Sequence, residues 1–294
     1  MDGLEFEVGE GEIFAFVGPN GGGKTTLFRV LSTLVPMQTG AATILGWDLR
    51  NDTSQIRRAL GVVFQAPSLD KKLTVEENLR HQGHLYGLTG SRLRDRSNKM
   101  LAELGLTDRR RERVEKLSGG LRRRVELAKG MLHHPRLLLL DEPSTGLDPA
   151  ARNDLWAYLR EIREQQAVTV VLTTHLLEEA ERADRIAILD QGKLVALDTP
   201  DALRGTVGGD AVTIQTADCS QLAEDIRAAF EFPVEVVDGA VRLEQPDGHR
   251  LIARIVEAFP GRVDAVTFSR PTLEDVFIDR TGHRFRQDTI STEH

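Results

Sequence analysis

Gly18-Pro19-Asn20-Gly21-Gly22-Gly23-Lys24-Thr25 fits the pattern G-x-x-x-x-G-K-[ST] and decides how the rest of the chain is read. A polyphosphate presents several negative charges at close range. Glycines let backbone N–H groups converge on those charges without a Cβ in the way. A helix following from Lys24 adds the positive end of its dipole. In this pattern Lys24 reaches the β- and γ-phosphates and the Thr25 hydroxyl holds Mg²⁺. The flanks agree: Glu12–Val17 reads as a buried strand and Thr26–Leu34 as an amphipathic helix.

Working outward, Leu137–Glu142 is an apolar strand ending in two carboxylates. Strands buried in parallel sheets are continuously apolar, and ligands sit at their carboxyl ends. Asp141 is therefore a candidate for the Mg²⁺ shell and Glu142 for polarising the water that attacks the γ-phosphate. Gln65, after strand Leu60–Phe64, suits a metal–water shell. His175, after strand Val168–Thr174, is a candidate γ-phosphate contact. Leu117-Ser118-Gly119-Gly120 opens a further helix, Leu121–Leu132, so its small residues and N-terminal amides offer a second anion site. A plain helix N-cap is the competing reading of Ser118.

The phosphate loop Gly18–Thr26, Gln65, Ser118–Gly120, Leu137–Glu142, Ser144-Thr145-Gly146-Leu147-Asp148 and His175 occur in an order that resembles the nucleotide-binding subunit of ATP-binding-cassette (ABC) proteins. The resemblance covers roughly residues 4–200. It implies ATP as the nucleotide and two copies packed head to tail around two ATP molecules. Ser118, Gly119 and Gly120 of one copy would bind the γ-phosphate held by Lys24 of the other, and Asp148 would link the copies at the interface. The run Ser118–Ala128, the stretch Asp141–Pro149 and the tail Arg270–Gly282 are similar to ATPase subunits of daunorubicin-type exporters, which pair with a separate membrane permease. That likeness implies export of drug-like or lipid-like compounds from the cytoplasmic face of the membrane.

One departure concerns adenine. The family stacks it on an aromatic residue well upstream of the loop. Phe6 lies too close to the loop for that role, while Trp47 and Tyr86 lie after it. The adenine contact is left unassigned.

Composition bounds the remaining classes. With 294 residues there is room for two domains, and 40% hydrophobic with 28% charged residues is usual for a globular chain. No apolar run approaches the roughly 18–20 residues that span a bilayer, and no signal-peptide pattern opens the chain. The net charge of −7 argues against broad nucleic-acid binding. The basic run Arg109–Arg113 is a solvated face or a contact with a partner or anionic lipid. Arg122–Arg124 are given interface and helix roles, not ATP contacts. His133-His134 is read as a turn at a helix end, and the single cysteine, Cys219, as a half-buried small residue.

The expected architecture is α/β: a phosphate-loop ABC-type nucleotide-binding domain over residues 1–205, with a helical arm at 66–135. A small C-terminal α+β domain follows over 210–282, its βαββαβ order suggesting a ferredoxin-like sandwich. Gly205–Gly209 reads as the linker, Asp238-Gly239 as a hairpin turn, and 283–294 as a disordered tail. A soluble ABC ATPase acting on ribosomes or DNA is the alternative. Against it stand a single set of motifs and no sustained heptads between Lys24 and Ser118. A nucleotide-gated regulatory protein would need the C-terminal domain to hold the output. A GTPase is disfavoured because Asn98-Lys99 lacks the guanine-reading Asp.

Overall fold

The computed structural model describes residues 1, 3–237, 239–245, 248–283 and 285. Two compact units divide the chain, Met1–Leu197 and Asp198–Phe285. The first runs β1 (Ile13–Val17), α1 (Lys24–Leu31), β2 (Thr43–Ile44), β3 (Trp47–Asp48), α2 (Thr53–Ala59), β4 (Leu60–Val63), α3 (Val75–Leu85), α4 (Gly90–Glu103), α5 (Gly119–Met131), β5 (Leu137–Asp141), α6 (Pro149–Gln166), β6 (Thr169–Thr174), α7 (Leu177–Ala180), β7 (Arg185–Asp190) and β8 (Lys193–Asp198).

The apolar runs become the central strands. The sheet order is β4-β5-β6-β1-β7-β8, and the pairs from β4 through β7 are parallel. β1, β5 and β6 are buried along their whole length, as strands covered on both faces must be. Phe14, Phe16 and Phe28 lie in one core cluster on a sheet face. Each such side chain contributes about 1.5–3 kcal/mol on burial. Phe6 joins them, its ring 5.0 Å from Phe16 and 6.3 Å from Phe14.

The register aligns the ends of the strands. Val63 pairs with Leu140, Asp141 with Thr173, and Thr174 with Val17. The residues that follow β4, β5, β6 and β1 therefore emerge side by side at one edge of the sheet, in the lateral order Gln65, Glu142, His175, Gly18. This is the carboxyl edge at which parallel sheets bind ligands.

Between β4 and β5 the chain is helical, with 3-10 turns at Thr107–Arg109 and Val114–Lys116. Thr74 starts α3 with a capping box closed by Glu77. The basic run Arg109–Arg113 is engaged locally: Arg109 with Glu112 at 2.9 Å, Arg110 with Glu76 at 2.8 Å, Arg113 with Glu115 at 3.7 Å. His133 is structural. Its ring stacks on Tyr86 at 3.6 Å and its Nε2 lies 3.1 Å from the Leu60 carbonyl; burial pushes its pKa down to about 4. It is therefore neutral near pH 7, with Nε2 donating. α7 is a single short turn, Leu177–Ala180, and the Asp184 carboxylate, one residue before β7, accepts from the Ile13 amide at 2.8 Å.

The second unit contains α8 (Pro200–Arg204), β9 (Asp210–Gln215), α9 (Cys219–Phe230), β10 (Val234–Val237), β11 (Ala240–Gln245), α10 (Gly248–Ala258), β12 (Ala265–Ser269) and α11 (Leu273–Thr281). Its antiparallel sheet has the order β10-β11-β9-β12. With the βαββαβ succession this is a ferredoxin-like sandwich, its core built on Val212, Ile214, Leu222, Val241 and Leu251. The division at Leu197 places α8 here, where it packs on α11, and not with residues 1–205. Gly209 is also more than a spacer. A Cβ there would lie 2.1 Å from the Gln245 carbonyl carbon, so only glycine lets the two backbones pass. Of the hairpin turn, Asp238 lies outside the described residues. The expected tail begins too early at 283: Phe285 is buried, its ring 4.9 Å from Phe277. Residues 284 and 286–294 lie outside the described residues.

Candidate active site

The loop after β1 is held by close backbone approach. A Cβ on Gly18 would sit 2.2 Å from the Leu189 carbonyl oxygen, so no larger residue fits. The Gly22 amide donates to the Pro19 carbonyl at 3.0 Å. Gly23 enters α1 with φ of +102° and gives the helix no side-chain cap. The first-turn amides are thus left to an external acceptor, at the positive end of the helix dipole. Thr25 and Thr26 lie exposed in that first turn.

Lys24 is 4% exposed. Its Nζ donates to the Gly18 carbonyl at 2.6 Å and the Pro19 carbonyl at 3.0 Å, and lies 4.0 Å from Glu142 Oε1. Burial lowers its pKa, opposed by the Glu142 and Asp141 carboxylates. The ammonium is therefore bent back over its own loop, next to where an anion would lie.

Glu142 is the hub of the site. Its Oε2 accepts from Gln65 Nε2 at 3.1 Å and Thr145 Oγ1 at 3.2 Å, and lies 3.1 Å from His175 Nδ1, an ion-pair contact without hydrogen-bond alignment. Its backbone has φ of +44°, a left-handed conformation that costs a non-glycine residue about 1–3 kcal/mol. The bond from the Glu142 amide to Thr173 Oγ1 at 3.0 Å, and to the Thr173 carbonyl at 3.1 Å, holds it there. The same Thr173 hydroxyl donates to Asp141 Oδ1 at 2.6 Å.

The electrostatics follow from this geometry. Asp141 is 5% exposed, and burial raises its pKa against the pull of Thr173, Lys24 and Arg123. His175 lowers the pKa of Glu142, and Glu142 raises that of His175. The folded pKa of His175 lies above its ordinary 6.5. Its stabilisation is complete below that value and is lost as pH rises through the folded pKa. Glu142 lies below its ordinary 4.5, so its share is present above 4.5 and lost as pH falls through the folded value. The stability difference between wild type and His175→Gln is expected to be largest below pH 6.5 and to shrink as pH rises through the folded pKa, which lies above 6.5. Urea unfolding across that range checks it, and a difference that grows with pH contradicts the pairing.

The remaining expected residues sit together elsewhere. Ser118 caps α5, accepting from the Leu121 amide at 3.3 Å, and Asp148 caps α6, accepting from Ala151 at 2.9 Å. A Cβ on Gly120 would lie 3.2 Å from the Ala151 Cβ, so the Ser-Gly-Gly turn abuts the start of the Asp148 helix. Both caps are exposed. The capping reading of Ser118 is realised, and it leaves the α5 amides on the surface.

Several site residues escape sequence reading. Thr173 and Thr145 orient Glu142. Glu179, buried at 2% exposure, accepts from Ser144 Oγ at 2.6 Å and Thr174 Oγ1 at 3.0 Å. Arg123 spans the strand ends from α5. Only the i,i+3 spacing of Arg123 and Glu126 is visible in the sequence; their burial is not. The aromatic residues weighed for adenine are committed to packing: Phe6 and Trp47 to the sheet core, Tyr86 to His133.

The donor set fits a magnesium nucleotide. An uncapped helix N-terminus, a glycine-rich loop whose Gly18 admits no Cβ, and a buried lysine suit a polyphosphate. A buried carboxylate of raised pKa gains from a divalent cation beside it. Among the described residues no group of three or more His, Cys, Asp or Glu could hold a metal alone. Mg²⁺ in nucleotide sites draws its other ligands from phosphates and water.

Known proteins are similar to this chain. The family described as ABC transporter matches residues 1–145. A daunorubicin resistance ATP-binding protein of Streptomyces coeruleorubidus is 39% identical, over 97% of this chain and 91% of its own length. A Nod factor export ATP-binding protein of a Rhizobium species is 34% identical, over 98% and 93%. Among solved structures, a dimeric post-hydrolysis ATP-binding cassette bound to ADP and phosphate superposes with a TM-score of 0.61 at 26% identity, over 67% of this chain and 88% of that one.

Proposed function

This chain belongs to the ABC transporter family as an ATPase, and from that premise we propose that it drives an exporter whose membrane-spanning permease is a separate protein. The observation that carries the proposal is similarity along nearly the whole chain to ATP-binding subunits named for drug resistance and for export. Among the described residues no helix is long and apolar enough to cross a membrane. The spanning element is therefore assigned to the permease, with this subunit peripheral on its cytoplasmic face. The two relatives are named for chemically unlike compounds, daunorubicin and Nod factor. Drug-like or lipid-like cargo is accordingly chosen by the permease. The same full-length similarity favours transport over a soluble ATPase acting on ribosomes or DNA.

Two copies close head to tail on two ATP molecules. Lys24 and the backbone N–H groups of the loop Gly18–Thr26, those of Asn20, Gly21, Gly22 and Gly23 included, bind the phosphates, and Pro19, which has no N–H, fixes the turn between them. The exposed Ser118–Gly120 amides bind the γ-phosphate on the opposite copy, and Asp148 links the copies. Thr25 and Asp141 would hold Mg²⁺, with Gln65 in its water shell, and the ion would supply charge neutralisation for the phosphates. Glu142 takes the proton side of the attacking water, and His175 donates toward the γ-phosphate. The contacts among Gln65, Glu142 and His175 must open for each to reach its target, so nucleotide replaces their mutual pairing. Crosslinking in the native cell followed by membrane fractionation is expected to recover the chain attached to an integral protein with several apolar spans. Recovery in the soluble fraction with ribosomes or DNA overturns the proposal.

A further inference from the structure

The inner face of α5 carries a buried ion pair that none of the phosphate-binding roles uses. Arg123 is 11% exposed and Glu126 5%, and their side chains meet at 3.0 Å. The Arg123 guanidinium is spread over three backbone carbonyls besides. Its Nε donates to Pro143 at 2.7 Å, Nη1 to Phe64 at 2.9 Å and Nη2 to Asp141 at 3.3 Å. Asp141 and Pro143 are the two neighbours of Glu142, and Phe64 immediately precedes Gln65. One side chain thus grips the backbone on both sides of the candidate base and just ahead of its hydrogen-bond partner. Glu126 completes the brace: its Oε1 accepts from the Ser68 amide at 2.7 Å, and Lys129, one turn further on, donates to the Ser68 carbonyl at 2.7 Å. The segment from Phe64 to Ser68 is held at both ends by α5, whose first turn is the Ser118–Gly120 surface.

We propose that Arg123, oriented by Glu126, is a positioning residue for hydrolysis, setting Glu142 and Gln65 in register with the Ser118–Gly120 end of the same helix. This rests on the reading of Glu142 as the group that polarises water. A planar fork on three carbonyls is something a lysine cannot supply, since its ammonium is a point donor. The left-handed backbone at Glu142 needs such outside restraint, because strain persists only where the surroundings over-determine it. The arrangement also explains why a cation is buried here. It meets the acceptors left at the ends of β4 and β5, where the ladder stops and the chain turns away.

The test is Arg123→Lys in the full chain, read as steady-state ATPase kinetics alongside titration with a fluorescent ATP analogue. The expected result is a fall in kcat of roughly ten- to a hundredfold, as for small misplacements of reacting groups. KM and analogue affinity should stay within about threefold of wild type. In the Glu142→Gln background the same change should alter residual turnover by less than about twofold, because the group being positioned is gone. Equal losses in both backgrounds, or a loss of nucleotide affinity, overturn the proposal and leave Arg123 a support of the fold. If Arg123→Lys does not fold, Glu126→Gln carries the same comparison: a kcat loss that vanishes beside Glu142→Gln supports it, and one that persists overturns it. Should Glu142→Gln by itself keep near wild-type turnover, the reading of Glu142 fails instead. Positioning is then read against Gln65→Ala, where non-additive losses support it and additive ones end it.

Discussion

Glu142→Gln is expected to bind ATP, form an ATP-dependent dimer and hydrolyse about 10²–10⁴ times more slowly than wild type. The amide is isosteric, so Thr145 keeps an acceptor, and the Thr173 bonds to the Glu142 backbone are untouched. What disappears is the charge. His175 loses the carboxylate that raises its pKa, Lys24 loses the nearer of its two opposing charges, and no group remains to take a proton from water. Binding should survive because Gly18–Thr25 and α1 are unchanged. Size-exclusion chromatography with ATP reads the dimer, and phosphate release reads the turnover. Turnover within about tenfold of wild type sinks the assignment of Glu142.

Lys24→Ala should act at the earlier step. Among the described residues the ammonium is the side-chain donor to the Gly18 and Pro19 carbonyls, and it faces Glu142 at 4.0 Å. Its removal takes away charge-assisted hydrogen bonds to phosphate, each worth about 1.5–3 kcal/mol. It also removes the cation that opposes the Asp141 and Glu142 carboxylates on the phosphate-loop side. An affinity loss of roughly a hundredfold or more follows, since about 1.4 kcal/mol is tenfold. Titration with a fluorescent ATP analogue checks it, and unchanged affinity contradicts the phosphate-loop role. The two substitutions separate binding from chemistry: one abolishes occupancy, the other should trap it.

The candidate site residues were legible because each is announced by a local pattern. Gly18 and Gly23 stand where the backbone must turn tightly, Lys24 where a helix begins, and Asp141-Glu142 where an apolar strand ends. The adenine contact stayed unassigned, and the structure commits Phe6, Trp47 and Tyr86 to packing. The helices expected over Thr26–Leu34 and Leu121–Leu132 came within a few residues, as Lys24–Leu31 and Gly119–Met131, while nothing local foretells that Asp184 reaches the Ile13 amide. The domain boundary was placed after α8 for a similar reason. The glycines of 205–209 look like a linker, yet Gly209 is where β11 passes too closely for any side chain.

The sequence by itself determined the α/β class, the family resemblance and the set of residues offered to the nucleotide. Those depend on residue type at short spacing, which the chain carries wherever it goes. Only the tertiary structure decided which of them meet. Strand register brings Thr173 beside Asp141, and sheet order puts Gln65 and His175 on either side of Glu142. A turn of α5 lays Arg123 across three carbonyls that are distant in sequence. Lateral pairing between strands and burial of charge are properties of the packed sheet. A single apolar run can say that it will be buried, but not which neighbour's hydroxyl or guanidinium will be waiting at its end.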